Sequence, residues 1–190
     1  MSELSNDQTI QDYANKICLH SKAGLNCIAS LLRDLPENGD EDSSSSDMST
    51  FKSFEVLLEF LCLYLHITSR WTSSELPVDK ADELYDTLST KCINASVEYG
   101  LFGYPEDTKK EIRLKAFGIF RDVDEEYSKY VKLVPEDNEG SKNTLIWEFG
   151  KSIAAISGIK NVMACQHACL SLITHALGKL DPRQFVTKVR

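Results

Sequence analysis

Residues 51–70 read FKSFEVLLEFLCLYLHITSR, and this stretch decides the fold. Phe51, Phe54, Val56, Leu57, Leu58, Phe60, Leu61, Leu63, Leu65 and Ile67 cover most of a helical circumference, while no alternation of apolar and polar residues suggests a strand. A helix greasy on nearly every side belongs in the middle of a protein, surrounded by others. Its most apolar part, Phe54 to Ile67, has 14 residues where a bilayer span takes roughly 20 mostly apolar ones, and Glu55, Glu59 and His66 interrupt it.

The neighbours this helix needs are visible on either side. Ile10, Tyr13, Ala14, Ile17, Ser21, Gly24, Leu25, Ile28, Leu31, Leu32 and Leu35 recur at three and four, which predicts a helix from about Asp7 to Leu35 with Asn6 as its N-cap. Ser21 and Gly24 on that stripe would let another helix come close. After the turn Leu76-Pro77-Val78-Asp79, a third helix runs to about Tyr99 on Ala81, Leu84, Tyr85, Leu88, Cys92 and Ala95. A fourth opens at Pro105-Glu106-Asp107, with proline and acids suited to a first turn, and is expected to reach Leu133. A fifth begins near Asn143 and continues to Leu177, with Gly150 and Gly158 as bending points and Gly178 as its stop. The expected architecture is all-α: one domain over residues 1–190, a bundle of five to six mostly antiparallel helices with helix two at its centre.

Pro36 closes the first helix, and residues 37–49 predict a mobile acidic, serine-rich loop. Asp34, Glu37, Asp40, Glu41, Asp42 and Asp47 account for most of the formal charge of −8, and without them the rest of the chain is nearly balanced. A pI of about 5.0 gives no general pull toward phosphate backbones, so nucleic acid is not an expected partner. Residues 181–190, after Asp181-Pro182, read as a short tail. The opening Met1-Ser2-Glu3-Leu4-Ser5-Asn6-Asp7 carries no signal-peptide pattern, and the six cysteines all fall in apolar helical runs. The expectation is therefore reduced thiols in a cytoplasmic protein with no membrane partner.

Chemistry-bearing residues are sparse. On helix two, at about 100° per residue, Lys52, Glu55, Glu59, Cys62, His66 and Arg70 fall within about 80° of one another. This polar line faces either water, as the single solvated face of a buried helix, or a lined cavity where carboxylate, thiol, imidazole and guanidinium converge on a ligand. The solvated face is the ordinary reading. Glu55, Glu59, Cys62, His66 and Arg70 are accordingly the candidate ligand-binding residues. Cys62 and His66, one turn apart, make at most half of a metal site, so no metal is assigned. Cys165 and Cys169 share a face, but His167 points away from them, and His167, Ser171, Thr174 and His175 form a second polar edge. Lys109, Lys110, Arg113 and Lys115 make the first half of helix four basic, answered by Asp122, Asp124, Glu125 and Glu126.

No Glu-x-x-His, His-Glu-x-x-His, Cys-x-x-Cys, Gly-x-Ser-x-Gly or phosphate-binding glycine motif occurs. Ser49-Thr50-Phe51-Lys52 matches Ser-x-x-Lys without the companion elements or the sheet such enzymes need. These absences favour a non-enzymatic helical protein acting through protein–protein contact, a homodimer being one form of it, with no cofactor. The alternative is a small-ligand or metal-binding bundle that uses the polar line of helix two.

Overall fold

A computed structural model describes residues 6–34, 48–133 and 144–190. Seven helices fill it: α1 (Asn6–Asp34), α2 (Thr50–Glu75), α3 (Val78–Gly100), α4 (Glu106–Ser128), α5 (Leu145–Ser157), α6 (Val162–Leu180) and α7 (Pro182–Val189). Among the described residues there is no strand, and no helix is long and apolar enough to cross a membrane. Most of the expected acidic loop at 37–49 lies outside the described residues. Of it, Ser49 is seen as the N-cap of α2, its hydroxyl accepting from the Lys52 amide at 3.3 Å.

Helix α2 is central, as its composition requires. Every residue from Val56 to Thr68 is buried, and α1, α3, α4, α5 and α7 all pack against it. The small residues on α1 set the distance of one such contact. A methyl group added at Gly24 would lie 2.7 Å from the ring of Phe60, itself fully buried and edge-on to Phe149 at 4.9 Å. Close packing of this kind leaves no room for an added carbon. The α5–α6 contact is set in the same way, because a methyl at Gly150 would meet the Gln166 backbone at 2.9 Å.

The long fifth helix divides at the glycine expected to bend it. Gly158 takes the left-handed conformation (φ 80°) that closes α5, and Asn161 restarts the chain by accepting from the Ala164 amide at 3.0 Å. Gly178, by contrast, does not stop α6. The helix continues to Leu180 and ends at Asp181, which adopts φ 45° and accepts from the Gln184 amide, capping α7 ahead of Pro182. The expected tail is thus a helix, α7, with Pro182, Phe185 and Val186 buried. Phe185 stacks on Tyr13 of α1 with ring centroids 3.8 Å apart, and the Tyr13 hydroxyl reaches Thr68 of α2 at 3.2 Å.

Helix α4 ends at Ser128, before the expected Leu133. The carbonyls of Lys132 and Leu133 instead accept from the first amides of α5, Leu145 at 2.9 Å and Ile146 at 3.2 Å. Those amides have no partner inside their own helix, so the exit of α4 supplies one.

Candidate functional site

The polar line of α2 points inward, onto α4, rather than into water as its ordinary reading holds. Glu59, Cys62 and His66 are buried and Arg70 is half-buried, whereas Lys52 and Glu55, nearer the start of the helix, are exposed. The physical reason lies on the facing helix. Asp124 and Tyr127 of α4, with Tyr85 of α3, bring complementary donors and acceptors to a seam that would otherwise bury unpaired polar groups.

Asp124 is the hub. Its Oδ1 lies 2.7 Å from His66 Nδ1 and accepts from the Tyr85 hydroxyl at 2.9 Å. Arg70 Nε donates to His66 Nε2 at 2.9 Å. A guanidinium can only donate, so Nε2 accepts and the imidazole proton sits on Nδ1, facing the Asp124 carboxylate. Burial pushes the Asp124 carboxyl up, but the hydrogen bonds from His66 and Tyr85 and the nearby charges outweigh it and hold the group below its usual range.

The rest of the Arg70 fork closes the end of α4. Its terminal nitrogens donate to the carbonyls of Val131 at 3.0 Å and Tyr127 at 3.1 Å, and also to that of Tyr130. A cation at a helix C-terminus meets the last carbonyls and the negative end of the helix dipole, and of those Arg70 reaches, that of Tyr127 also accepts from the Tyr130 amide at 3.1 Å. Arg70 is therefore a clamp, holding the exit of α4 against α2.

Two turns before His66 the carboxylate of Glu59 accepts from the Tyr127 hydroxyl at 2.6 Å, with Ser152 of α5 as a further polar neighbour. Burial raises the Glu59 carboxyl above its ordinary value, against the pull of Tyr127 and Ser152. The same desolvation, reinforced by the charges of Glu59 and Asp124, pushes the Cys62 thiol well up and keeps it protonated. Tyr127 joins the two halves of the seam, bonded to Glu59 and edge-on to His66 at 5.7 Å.

Of the five candidate residues, the structure brings four into this seam and leaves Glu55 outside it. Asp124, Tyr127 and Tyr85 complete the network. The sequence reading places Asp124 among the acids of a dipolar helix and Tyr127 on the core stripe. Their spacing from Phe120, at four and seven residues, is the signal that puts both on one side of α4. Among the described residues, no group of three or more His, Cys, Asp or Glu is arranged to hold a metal ion. The basic half of α4 is an ion-paired surface: Lys109 meets Glu98 of α3 at 2.6 Å, Arg113 meets Glu106 at 2.6 Å and also Glu98, and Lys115 meets Glu111 at 2.7 Å. His167, Ser171, Thr174 and His175 all lie exposed on α6, while Cys165 and Cys169 are buried.

The clefts lie elsewhere. One of about 530 Å³ has a mixed lining that includes Ile10, Pro77, Lys80, Glu83 and Arg190. Another, of about 480 Å³, lies where α1, the start of α2 and the end of α3 meet, and its lining is mostly apolar: Leu25, Phe54, Leu57, Tyr99 and Phe102 among others. There Phe102 is 90% exposed and Tyr99 51%, the latter with the Lys22 ammonium 4.0 Å over its ring, and Phe51, on the adjoining first turn of α2, is 66% exposed. Comparison of the chain with models of known families, with curated proteins and with solved structures finds no match, so its chemistry is read from this geometry alone.

Proposed function

We infer that this is a non-enzymatic helical protein that acts through protein–protein contact, pairing with a second copy of itself across the aromatic face of α1, α2 and α3. The carrying observation is the exposure of Tyr99 and Phe102 at one apolar cleft, with Phe51 exposed on the adjoining first turn of α2. With about 200 Å² per aromatic side chain, these exposures leave about 400 Å² in water on each copy. That is at the scale of the largest patch on an ordinary monomer, which is often functional. A two-fold pair would bury about 800 Å² from these side chains alone, against about 1,200–2,000 Å² for a stable interface. The remainder would come from the rim. Lys22, its ammonium over the Tyr99 ring, supplies a charged group of that rim. The alternative, a ligand or metal on the α2 line, draws less support, because the donors and acceptors there already bond one another.

Sedimentation equilibrium of the full chain tests the proposal. The wild type is expected to dimerise with rising concentration, and Phe102→Ser combined with Phe51→Ser to shift it to monomer with an unchanged helical circular-dichroism spectrum. A wild-type chain that stays monomeric, or a dimer indifferent to both substitutions, overturns it.

A further inference from the structure

Helices α1 and α3 meet through small side chains, and there two thiols reach across in opposite directions. The Cys18 sulfur lies 3.7 Å from the carbonyl oxygen of Cys92 and 3.8 Å from the Ser96 hydroxyl. The Cys92 sulfur lies 3.8 Å from the carbonyl oxygen of Ala14, one turn before Cys18. Each thiol therefore sits on the turn that carries the other. Their accessibility differs: Cys92 is fully buried, while Cys18 is partly open to solvent.

We propose that Cys18 and Cys92 are a peroxide-oxidised dithiol, with Cys18 the attacking sulfur and Cys92 the resolving one. The Cys18 thiolate attacks one oxygen of a hydroperoxide and the O–O bond breaks. Cys18 becomes a sulfenic acid, and the departing alkoxide or hydroxide takes up a proton. The Cys92 sulfur then attacks the Cys18 sulfur, forming the S–S bond as the S–O bond breaks, and the Cys92 proton leaves with hydroxide as water. Two thiols and one hydroperoxide thus give a disulfide, an alcohol (or water) and water, with two electrons passing from sulfur to oxygen.

The other cysteines are less suited. Cys62, Cys165 and Cys169 are buried. Cys27 shares the partial exposure of Cys18, but burial and the neighbouring Cys165 push its thiol up. The neighbouring Cys92 thiol, opposed by burial and helped by Ser96, holds the Cys18 thiol below its ordinary value. The thiolate is the nucleophile, so this environment favours attack at Cys18.

The test is equimolar hydrogen peroxide on the reduced, folded wild-type chain, followed by peptide mass mapping and thiol titration. Two of the six thiols are expected to disappear together. The product should be one linked pair of peptides, bearing Cys18 and Cys92 and lighter by two hydrogen atoms, that dithiothreitol restores. The oxidised protein should also unfold at higher urea, because the bridge closes a loop across 74 residues of the unfolded chain. Cys92→Ser should leave a sulfenic acid on Cys18 that dimedone traps, and Cys18→Ser should slow thiol loss by roughly tenfold or more. Oxidation of Cys27 ahead of Cys18, or the absence of the Cys18–Cys92 link in the wild type, overturns the proposal whatever the variants do.

Discussion

Replacing Arg70 by methionine keeps most of the length of the side chain and removes the clamp on α4. The guanidinium donates to His66 Nε2 and to the carbonyls of Tyr127, Tyr130 and Val131. Val131 is 88% exposed, so water takes over that bond. The other three, at about 1.5 kcal/mol each for a charged donor, sum to about 4.5 kcal/mol. Freeing a long side chain returns up to about 2 kcal/mol of rotamer entropy, leaving a net loss near 2–3 kcal/mol. Urea unfolding followed by circular dichroism should show a lower midpoint with an unchanged slope. Amide exchange adds a local signature. The Leu145 and Ile146 amides depend on the carbonyls of Lys132 and Leu133, just past the clamp, and should lose protection in Arg70→Met. Lys52→Ala, on the exposed stretch of the same helix, serves as the comparison and should stay within about 0.5 kcal/mol of wild type. A loss below about 0.5 kcal/mol in Arg70→Met with unaltered exchange at Leu145 would refute the clamp.

Gly24→Ala gains about 1 kcal/mol in helix propensity, but its new methyl would crowd Phe60, which is fully buried, so a net destabilisation of about 1–2 kcal/mol is expected in thermal or urea melts. Gly150→Ala should cost more than Gly24→Ala, because the methyl meets Gln166 backbone that cannot rotate away; equal melts for the two variants would contradict this. Glu59 and Asp124 should leave opposite marks on the pH dependence of stability. The Glu59 carboxyl is raised in the fold, so its contribution is complete below the unfolded value, near 4.5, and is lost as pH climbs through the folded one. Glu59→Gln should therefore flatten the decline in stability on the alkaline side of that value, in urea midpoints taken from pH 4 to 8. The Asp124 carboxyl is depressed, so its contribution is present above the unfolded value, near 3.8, and disappears as pH falls through the folded one. Asp124→Asn should remove that acid-side loss and lower stability at neutral pH.

The central helix was legible because its apolar residues leave almost no face for water. The paired small residues were legible too: Ser21 and Gly24 on the α1 stripe mark a close helix contact, and Gly158 marks the division of α5 from α6. The direction of the polar line was not. Its burial depends on Asp124 and Tyr127, some 60 residues away, which carry no partner label in a one-dimensional pattern. The end of α4 was misplaced for a related reason. Val131 and Leu133 continue the apolar spacing, but the carbonyls there are drawn off by Arg70 and by the first amides of α5. The tail was misjudged because one residue, Asp181, ends α6 and starts α7, and a short segment after a proline offers too few positions for periodicity to show.

Asn6 and Arg190 line the same cleft, so the outermost described helices finish side by side. The bundle is in this sense nearly a ring, whose helix order could be cut and rejoined elsewhere without moving a helix. Fusing those ends through a few glycines and reopening the chain at Gly103, where nothing crowds the backbone, would preserve each neighbour relationship described above.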